Sequence, residues 1–275
     1  MKKFDGILIC TDLDGTLLNS ERRVSAENLE AIEYFKSEGG KFTFVTGRMP
    51  FFVGEIFNTV KPNAPIGCVN GGGIFDFSEN RYIYTVEAPR EILELVDYAD
   101  RMLPELGIQV NSFDRLYFCG ENQAMVDFRR VTGVPDLRSK IFDVKEPIAK
   151  IVFGDNDVER ITRLAELLNA HPRASEFDFV RSELTLYEIL PKGVNKGSVI
   201  PVLAKHLGID PARTVALGDY NNDIPMLKAA GLGIAVANAC PEAKAAADRI
   251  TVSNDEHAIA RVIRDIDEGF FLYFS

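Results

Sequence analysis

Asp12-Leu13-Asp14-Gly15-Thr16 directly follows the apolar run Ile7-Leu8-Ile9-Cys10. Two carboxylates spaced two apart on extended chain point the same way, and the glycine permits a turn that a β-carbon would obstruct. Carboxylates so paired can attack an electrophile, transfer a proton or hold a divalent cation. Open α/β sheets collect ligands outside the carboxyl ends of their strands, which is where this pair falls. The same residues also suit an ordinary acidic turn. Three further stretches bear on the choice. Val45-Thr46-Gly47-Arg48 ends a second strand-like run, residues 41–45. Pro191-Lys192-Gly193-Val194-Asn195-Lys196-Gly197 lies far downstream. Val215-Ala216-Leu217-Gly218-Asp219-Tyr220-Asn221-Asn222-Asp223 is again an apolar strand that ends in glycine and carboxylates.

The elements that must position these residues follow from periodicity. Ser25 is placed to cap a helix, with Val24 and Leu29 as a hydrophobic staple. Leu29, Ile32 and Phe35 recur at helical spacing until Gly39-Gly40 ends it. Residues 50–60 read as another helix and 66–69 as a third strand running into Asn70-Gly71-Gly72-Gly73. That glycine run lacks nucleotide-loop spacing and reads as a turn or hinge. Strands at 82–86, 108–110, 116–119 and 148–153 then interleave with amphipathic helices at 90–103 and 157–170. A hairpin of 176–181 with 184–190 follows. Strand and helix alternation resumes with a helix at 196–207 despite Pro201, a strand at 214–217, a helix at 224–229, strands at 233–236 and 249–252, and a closing helix from about residue 255. Alternation at these lengths implies a mostly parallel sheet. Thr46 and Lys196 are 150 positions apart, far more than a return to the sheet requires, so roughly residues 82–189 form a second, inserted domain.

The 275 residues are 46% hydrophobic and 26% charged, enough to bury a substantial core. No apolar run approaches the roughly 20 residues of a membrane span, and the first residues run straight into a strand, so a cytoplasmic protein is expected. Cys10, Cys68, Cys119 and Cys240 are scattered and form no C-x-x-C pair, which argues against zinc or a disulfide framework. His171, His206 and His257 stand outside every motif and no G-x-S-x-G occurs, so a Ser-His-Asp hydrolase is unsupported. The net charge of −10 argues against nucleic-acid or anionic-membrane partners.

The four motifs, in this order, resemble those of the haloacid dehalogenase (HAD) superfamily, and particularly its Cof-type phosphatases with a type IIB cap. The likeness covers about residues 5–80 and 187–265. It implies a Rossmann-like parallel-sheet α/β core at 1–81 and 190–275, and an α/β type-two (C2B) cap at 82–189 that closes over the site. The implied activity is Mg²⁺-dependent hydrolysis of small phosphomonoesters, most plausibly sugar phosphates, through an aspartyl-phosphate. A phosphotransferase or mutase sharing that intermediate, and a non-catalytic binder of phosphorylated metabolites, are the alternatives.

The resemblance also distributes roles. Asp12 is the expected nucleophile and Asp14 the general acid and then base. Thr16, with N–H groups of the Asp14-Gly15 turn, is expected to hold phosphoryl oxygens, as are the Thr46 hydroxyl and N–H, Gly47 and Asn222. Lys196 supplies the cation beside Asp12, with Lys192 as rival. Mg²⁺ falls to the carboxylates of Asp12 and Asp219 and the carbonyl of Asp14, and Asp223 orients Lys196 or a metal-bound water. For Asn222 and Asp223, helix capping is an alternative that can coexist with these roles. Arg48 either organises its loop, reaches the substrate, or is a surface arginine. A divalent cation is also a physical requirement, since like charges ~4 Å apart cost ~4 kcal/mol at an effective dielectric of about 20. Ala237 stands where the family often has glycine. The expected partner is a small phosphorylated metabolite; the substrate, the residues that select it and the oligomeric state are not encoded in any motif.

Overall fold

Strand β1 (Leu8–Thr11) is buried along its whole length, as a central strand of a parallel sheet must be. In the computed structural model, which describes residues 2–269, it is followed by α1 (Ala26–Ser37), β2 (Lys41–Phe44), α2 (Gly54–Val60), β3 (Ile66–Cys68), β4 (Gly73–Asp76) and β5 (Arg81–Thr85). Next come α3 (Ile92–Met102), β6 (Gly107–Ser112), β7 (Leu116–Gly120), α4 (Gln123–Thr132), β8 (Ile148–Gly154), α5 (Val158–Asn169), β9 (Phe177–Glu183) and β10 (Leu186–Pro191). The last stretch carries α6 (Ile200–Leu207), β11 (Thr214–Gly218), α7 (Ile224–Ala229), β12 (Leu232–Ala235), α8 (Pro241–Ala246), β13 (Arg249–Ile250) and α9 (Ala258–Asp267).

These elements form two units, Met1–Tyr84 with Asn195–Ser275, and Thr85–Val194. In the first, a wholly parallel sheet runs in the order β13-β12-β11-β1-β2. A smaller sheet, β3-β4-β5, stands beside it, tied by a bridge between Val45 and Gly67. Leu8, Cys10, Ala216 and Ala235 from the strands, and Val45 just after β2, pack with Ile200, Leu203 and Leu227 from the helices. Each fully buried valine, leucine or isoleucine among these is worth about 1.5–3 kcal/mol. The second unit is built differently: β7-β6-β8-β10-β9 is antiparallel throughout. One face of it buries Ile108, Val110, Ile151 and Phe153 with Leu95, Val96 and Leu164 of α3 and α5.

The α/β class and the parallel core sheet are as the sequence implies, and several local readings change. Ser25 does cap α1, its hydroxyl accepting from Asn28 N–H at 3.3 Å. The expected helix at 50–60 is instead a 3-10 turn (Pro50–Phe52) followed by α2. The helix at 196–207 opens as a 3-10 turn (Lys196–Val199) and becomes α-helical at Ile200. Pro201 therefore falls in the first helical turn, where its missing N–H costs nothing. Helix α4 was not expected; it buries Met125 and half-buries Ala124 and Phe128. Of the four cysteines, only Cys10 and Cys68 are buried. Against the expected division at 82 and 189, strand β5 lies in the first unit through Tyr84. At the other end, Gly193 N–H donates to Asp178 at 2.6 Å, keeping that turn with the second unit. The outermost residues of the expected core, 1 and 270–275, lie outside the described residues. Among the described residues no helix is long and apolar enough to cross a membrane.

Candidate active site

Parallel strands β1, β2 and β11 all deliver their next residues to the same edge of the sheet. Asp12 follows β1 and remains in register, its N–H donating to Leu217 O on β11 at 3.0 Å. Asp219 follows β11, and Thr46 comes just after β2. Lys196 arrives from elsewhere in the chain, at the start of the 3-10 turn whose N–H groups at Gly197 and Ser198 donate to the Asn195 side chain.

Lys196 is almost fully buried, and its ammonium lies 2.7 Å from Asp12 Oδ1 and 2.6 Å from Asp223 Oδ1. Asp223 is saturated by this environment, since its other oxygen accepts from the N–H groups of Asp219 and Tyr220 at 2.9 and 3.0 Å. It thereby fixes both the ammonium and the loop that carries Asp219. Ligand oxygens of Asp12, Asp219 and Asp223 all lie within 4.8 Å of one another. Three carboxylates therefore share one ammonium. Burial raises the Asp12 carboxyl well above its usual range; Lys196 opposes this, while Asp223 and Asp219 reinforce it. Asp219 is pushed up to about 6, by burial first and then by Asp223. Burial pulls the Lys196 ammonium down, but Asp12 and Asp223 outweigh it and the net direction is upward. A carboxylate beside an ammonium normally falls; Asp12 rises because one cation does not balance three anions in a poorly solvated site.

This donor set fits a divalent cation. The hydrogen bonds among the described residues engage one oxygen of Asp12, with Lys196, and one of Asp219, with Thr16 at 2.9 Å. Hard oxygen ligands with no histidine or cysteine suit Mg²⁺ chemistry.

The other expected residues are close by, several with different partners. Thr16 is fully buried and its hydroxyl is turned to Asp219, so it braces a carboxylate instead of facing an open anion site. The Thr46 N–H is not available for a phosphoryl oxygen, because the neighbouring strand claims it through Gly67 O at 3.0 Å. Its hydroxyl accepts from Arg48 N–H at 3.2 Å. Asp14 is exposed and forked by Arg48, with Nε 2.8 Å from Oδ2 and Nη2 2.5 Å from Oδ1. Lys192 is spent in the second unit on Asp178 at 2.8 Å, which leaves Lys196 as the lysine beside Asp12.

Two residues that the motifs did not single out join the site. Asn70 is buried, its side-chain oxygen accepting from Asn222 Nδ2 at 3.3 Å. A β-carbon on Gly47 would stand 2.9 Å from that oxygen. Val69, Asn70 and Gly71 all have positive φ, at 56°, 52° and 94°, so the backbone that enters the glycine run is strained at Val69 and Asn70. Asn238, after β12, donates to Gly15 O at 2.8 Å and holds the Asp14-Gly15 turn from outside. Asn beside a glycine run was the available signal for Asn70; Asn238 had none beyond its place after a strand. The departure at Ala237 is accommodated, since it is not among the residues with left-handed backbone.

Fold and site together define a Rossmann-like α/β protein with a carboxylate–ammonium centre at its strand ends. Residues 9–263 match the haloacid dehalogenase-like hydrolases, and the chain belongs to that family. It is 32% identical to YxeH of Bacillus subtilis over 269 residues, 94% of this chain and 97% of that protein. It is 30% identical over 288 residues to YwtE of the same organism, named a 5-amino-6-(5-phospho-D-ribitylamino)uracil phosphatase, covering 95% and 98%. Among solved structures, a haloacid dehalogenase-like hydrolase from Bacteroides thetaiotaomicron superposes with a TM-score of 0.81 at 25% identity, covering 96% and 99%. BT4131, named a HAD subclass IIB sugar phosphatase, shares the fold with a TM-score of 0.80 at 23% identity, covering 94% and 98%.

Proposed function

We propose that this chain is a cytoplasmic, Mg²⁺-dependent phosphatase of small phosphomonoesters, chiefly polyol and sugar phosphates, acting through an aspartyl-phosphate on Asp12. The observation that carries this reading is the buried Lys196 ammonium between Asp12 and Asp223, with Asp219 within 4.8 Å. The polyol class is supported by YwtE, whose named substrate carries a phosphorylated ribityl chain.

In the reaction, a carboxylate oxygen of Asp12 bonds to phosphorus while the bond from phosphorus to the ester oxygen breaks. Asp14 gives its proton to the departing alkoxide. A water then attacks phosphorus and gives a proton to Asp14, the Asp12–phosphorus bond breaks, and inorganic phosphate leaves. Lys196 favours the Asp12 anion against the burial that disfavours it, and opposes the charge gathering at phosphorus. Asp12 and Asp219, with the Asp14 carbonyl, would hold Mg²⁺, which when bound offsets the charge of the phosphoryl group. The Thr46 hydroxyl, Gly47 and Asn222 hold phosphoryl oxygens, and Thr16 serves by fixing Asp219.

A panel of polyol phosphates, sugar phosphates and 4-nitrophenyl phosphate, assayed with Mg²⁺ and with EDTA, tests this. Phosphate release should need the metal and fall by at least roughly 10³-fold in Asp12→Asn. Undiminished turnover in Asp12→Asn refutes the covalent route, and no release from any ester by the wild-type protein refutes the phosphatase reading.

A further inference from the structure

Asp14 poses a problem that its neighbours answer. Its side chain is half-exposed, and an exposed carboxyl is free to rotate; small misplacements of a catalytic group can cost about 10²-fold in rate. In the structure it does not rotate freely. Both of its oxygens are taken by the guanidinium of Arg48, one by Nε and one by Nη2. Arg48 is itself held at three places: its N–H by the Thr46 hydroxyl at 3.2 Å, its carbonyl by Val69 N–H at 3.1 Å, and Nη1 by Phe52 O at 3.5 Å. An ion pair this exposed adds little stability, so stability alone is a weak account of a bidentate fork. What a fork supplies is orientation: it sets the plane of the carboxyl group, and each oxygen retains a further lone pair for a proton.

We infer that Arg48 is the positioning residue for Asp14, fixing the carboxyl that gives a proton to the leaving alkoxide. This rests on the phosphatase reading above and goes beyond it by assigning a residue that the motifs left open. In the step concerned, the ester oxygen leaves phosphorus with the bonding electrons and takes the Asp14 proton. Arg48 neither bonds to phosphorus nor supplies that proton.

The leaving group separates this role from phosphate binding. An alkoxide needs the proton, whereas 4-nitrophenolate departs as a stable anion without one. The comparison uses kcat/KM, which reports the steps through phosphorylation of Asp12 and is blind to its later hydrolysis. Arg48→Gln should lower kcat/KM for the polyol phosphate cleaved fastest in the panel by roughly 10- to 100-fold, and for 4-nitrophenyl phosphate by less than about threefold. Asp14→Asn should show the same split, and Arg48→Gln/Asp14→Asn should be no worse than Asp14→Asn alone. Arg48→Lys, a point charge without the fork, should fall between wild type and Arg48→Gln. Equal losses on the two esters, or losses of the two single variants that multiply, overturn the inference. A wild-type protein that cleaves neither ester overturns the phosphatase reading instead, a result distinct from both.

Discussion

The Lys196 ammonium lies 2.7 Å from the Asp12 carboxylate, and both groups are buried although 184 positions separate them in the chain. The same ammonium serves Asp223 at 2.6 Å. Lysine here is therefore a structural counter-charge to two buried carboxylates, whatever it contributes to the proposed reaction.

Lys196→Met leaves three clustered carboxylates without their cation. Removing one partner of a buried pair costs roughly 3–5 kcal/mol, so urea unfolding in metal-free buffer at pH 7.5 should show a loss of that size. Lys192→Met breaks an exposed pair with Asp178 and should lose less than about 1 kcal/mol. Equal effects of the two changes would mean that the site is not the electrostatic knot described.

The sign of the pH dependence follows from Asp219. Its carboxyl titrates near 6 when folded against 3.8 when unfolded, so between these values the native state holds the extra proton. Stability conferred by this group therefore falls as pH rises through that window, by about 3 kcal/mol in all, and is lowest above about 6. Asp12 is shifted in the same direction. In metal-free buffer at pH 7.5, Asp219→Asn should unfold at a higher temperature than wild type, and this advantage should vanish by pH 4. Mg²⁺ should raise the wild-type melting temperature more at pH 7.5 than at pH 5, and should raise that of Asp219→Asn little at either. A variant less stable than wild type at pH 7.5 without metal contradicts the assignment.

The chain made some of this visible and hid the rest for physical reasons. Asp12 and Asp219 were readable because each ends an apolar strand, and strand ends of a parallel sheet converge whatever the intervening length. Lys196 was readable from its motif, whose Asn195-Lys196-Gly197 context favours it over Lys192, and the fold gives Lys192 to Asp178 instead. The Arg48–Asp14 fork, Asn70 and Asn238 depend on approaches between distant loops, which leave no periodicity behind. Thr16 shows the converse: its hydroxyl suggested an anion ligand, and folding turned it inward to Asp219. Helix α4 was missed because the apolar Val126 and Val131 lie exposed and blur the period of Met125 and Phe128.

Asn70 is expected to act through Asn222. Its backbone is left-handed, at φ 52°, so Asn70→Gly keeps the turn while deleting the amide that meets Asn222. That variant should stay within about 1 kcal/mol of wild-type stability. Its kcat/KM should nevertheless fall by roughly tenfold, and equally for 4-nitrophenyl and polyol phosphates, because the phosphoryl group is common to both. Unchanged kinetics would show the Asn70–Asn222 contact to be idle.

Gly15 and Gly193 offer a comparison in which backbone strain is matched and packing is not. Their φ angles are +80° and +79°, so alanine costs each about the same on conformational grounds, roughly 1 kcal/mol. Around Gly193 an added β-carbon meets nothing within 4 Å, whereas at Gly15 it would lie 2.5 Å from Asp219 Oδ2. Asp219 has little freedom to yield, because Thr16 holds its other oxygen and Asp223 holds its N–H. Gly193→Ala should therefore lose only the conformational cost and keep its activity. Gly15→Ala should lose at least a further 1–2 kcal/mol and bind Mg²⁺ at least tenfold more weakly, measured by titration of the melting temperature. If the two variants behave alike in both measurements, the close approach of the Asp14-Gly15 turn to Asp219 is not what holds that carboxylate in place.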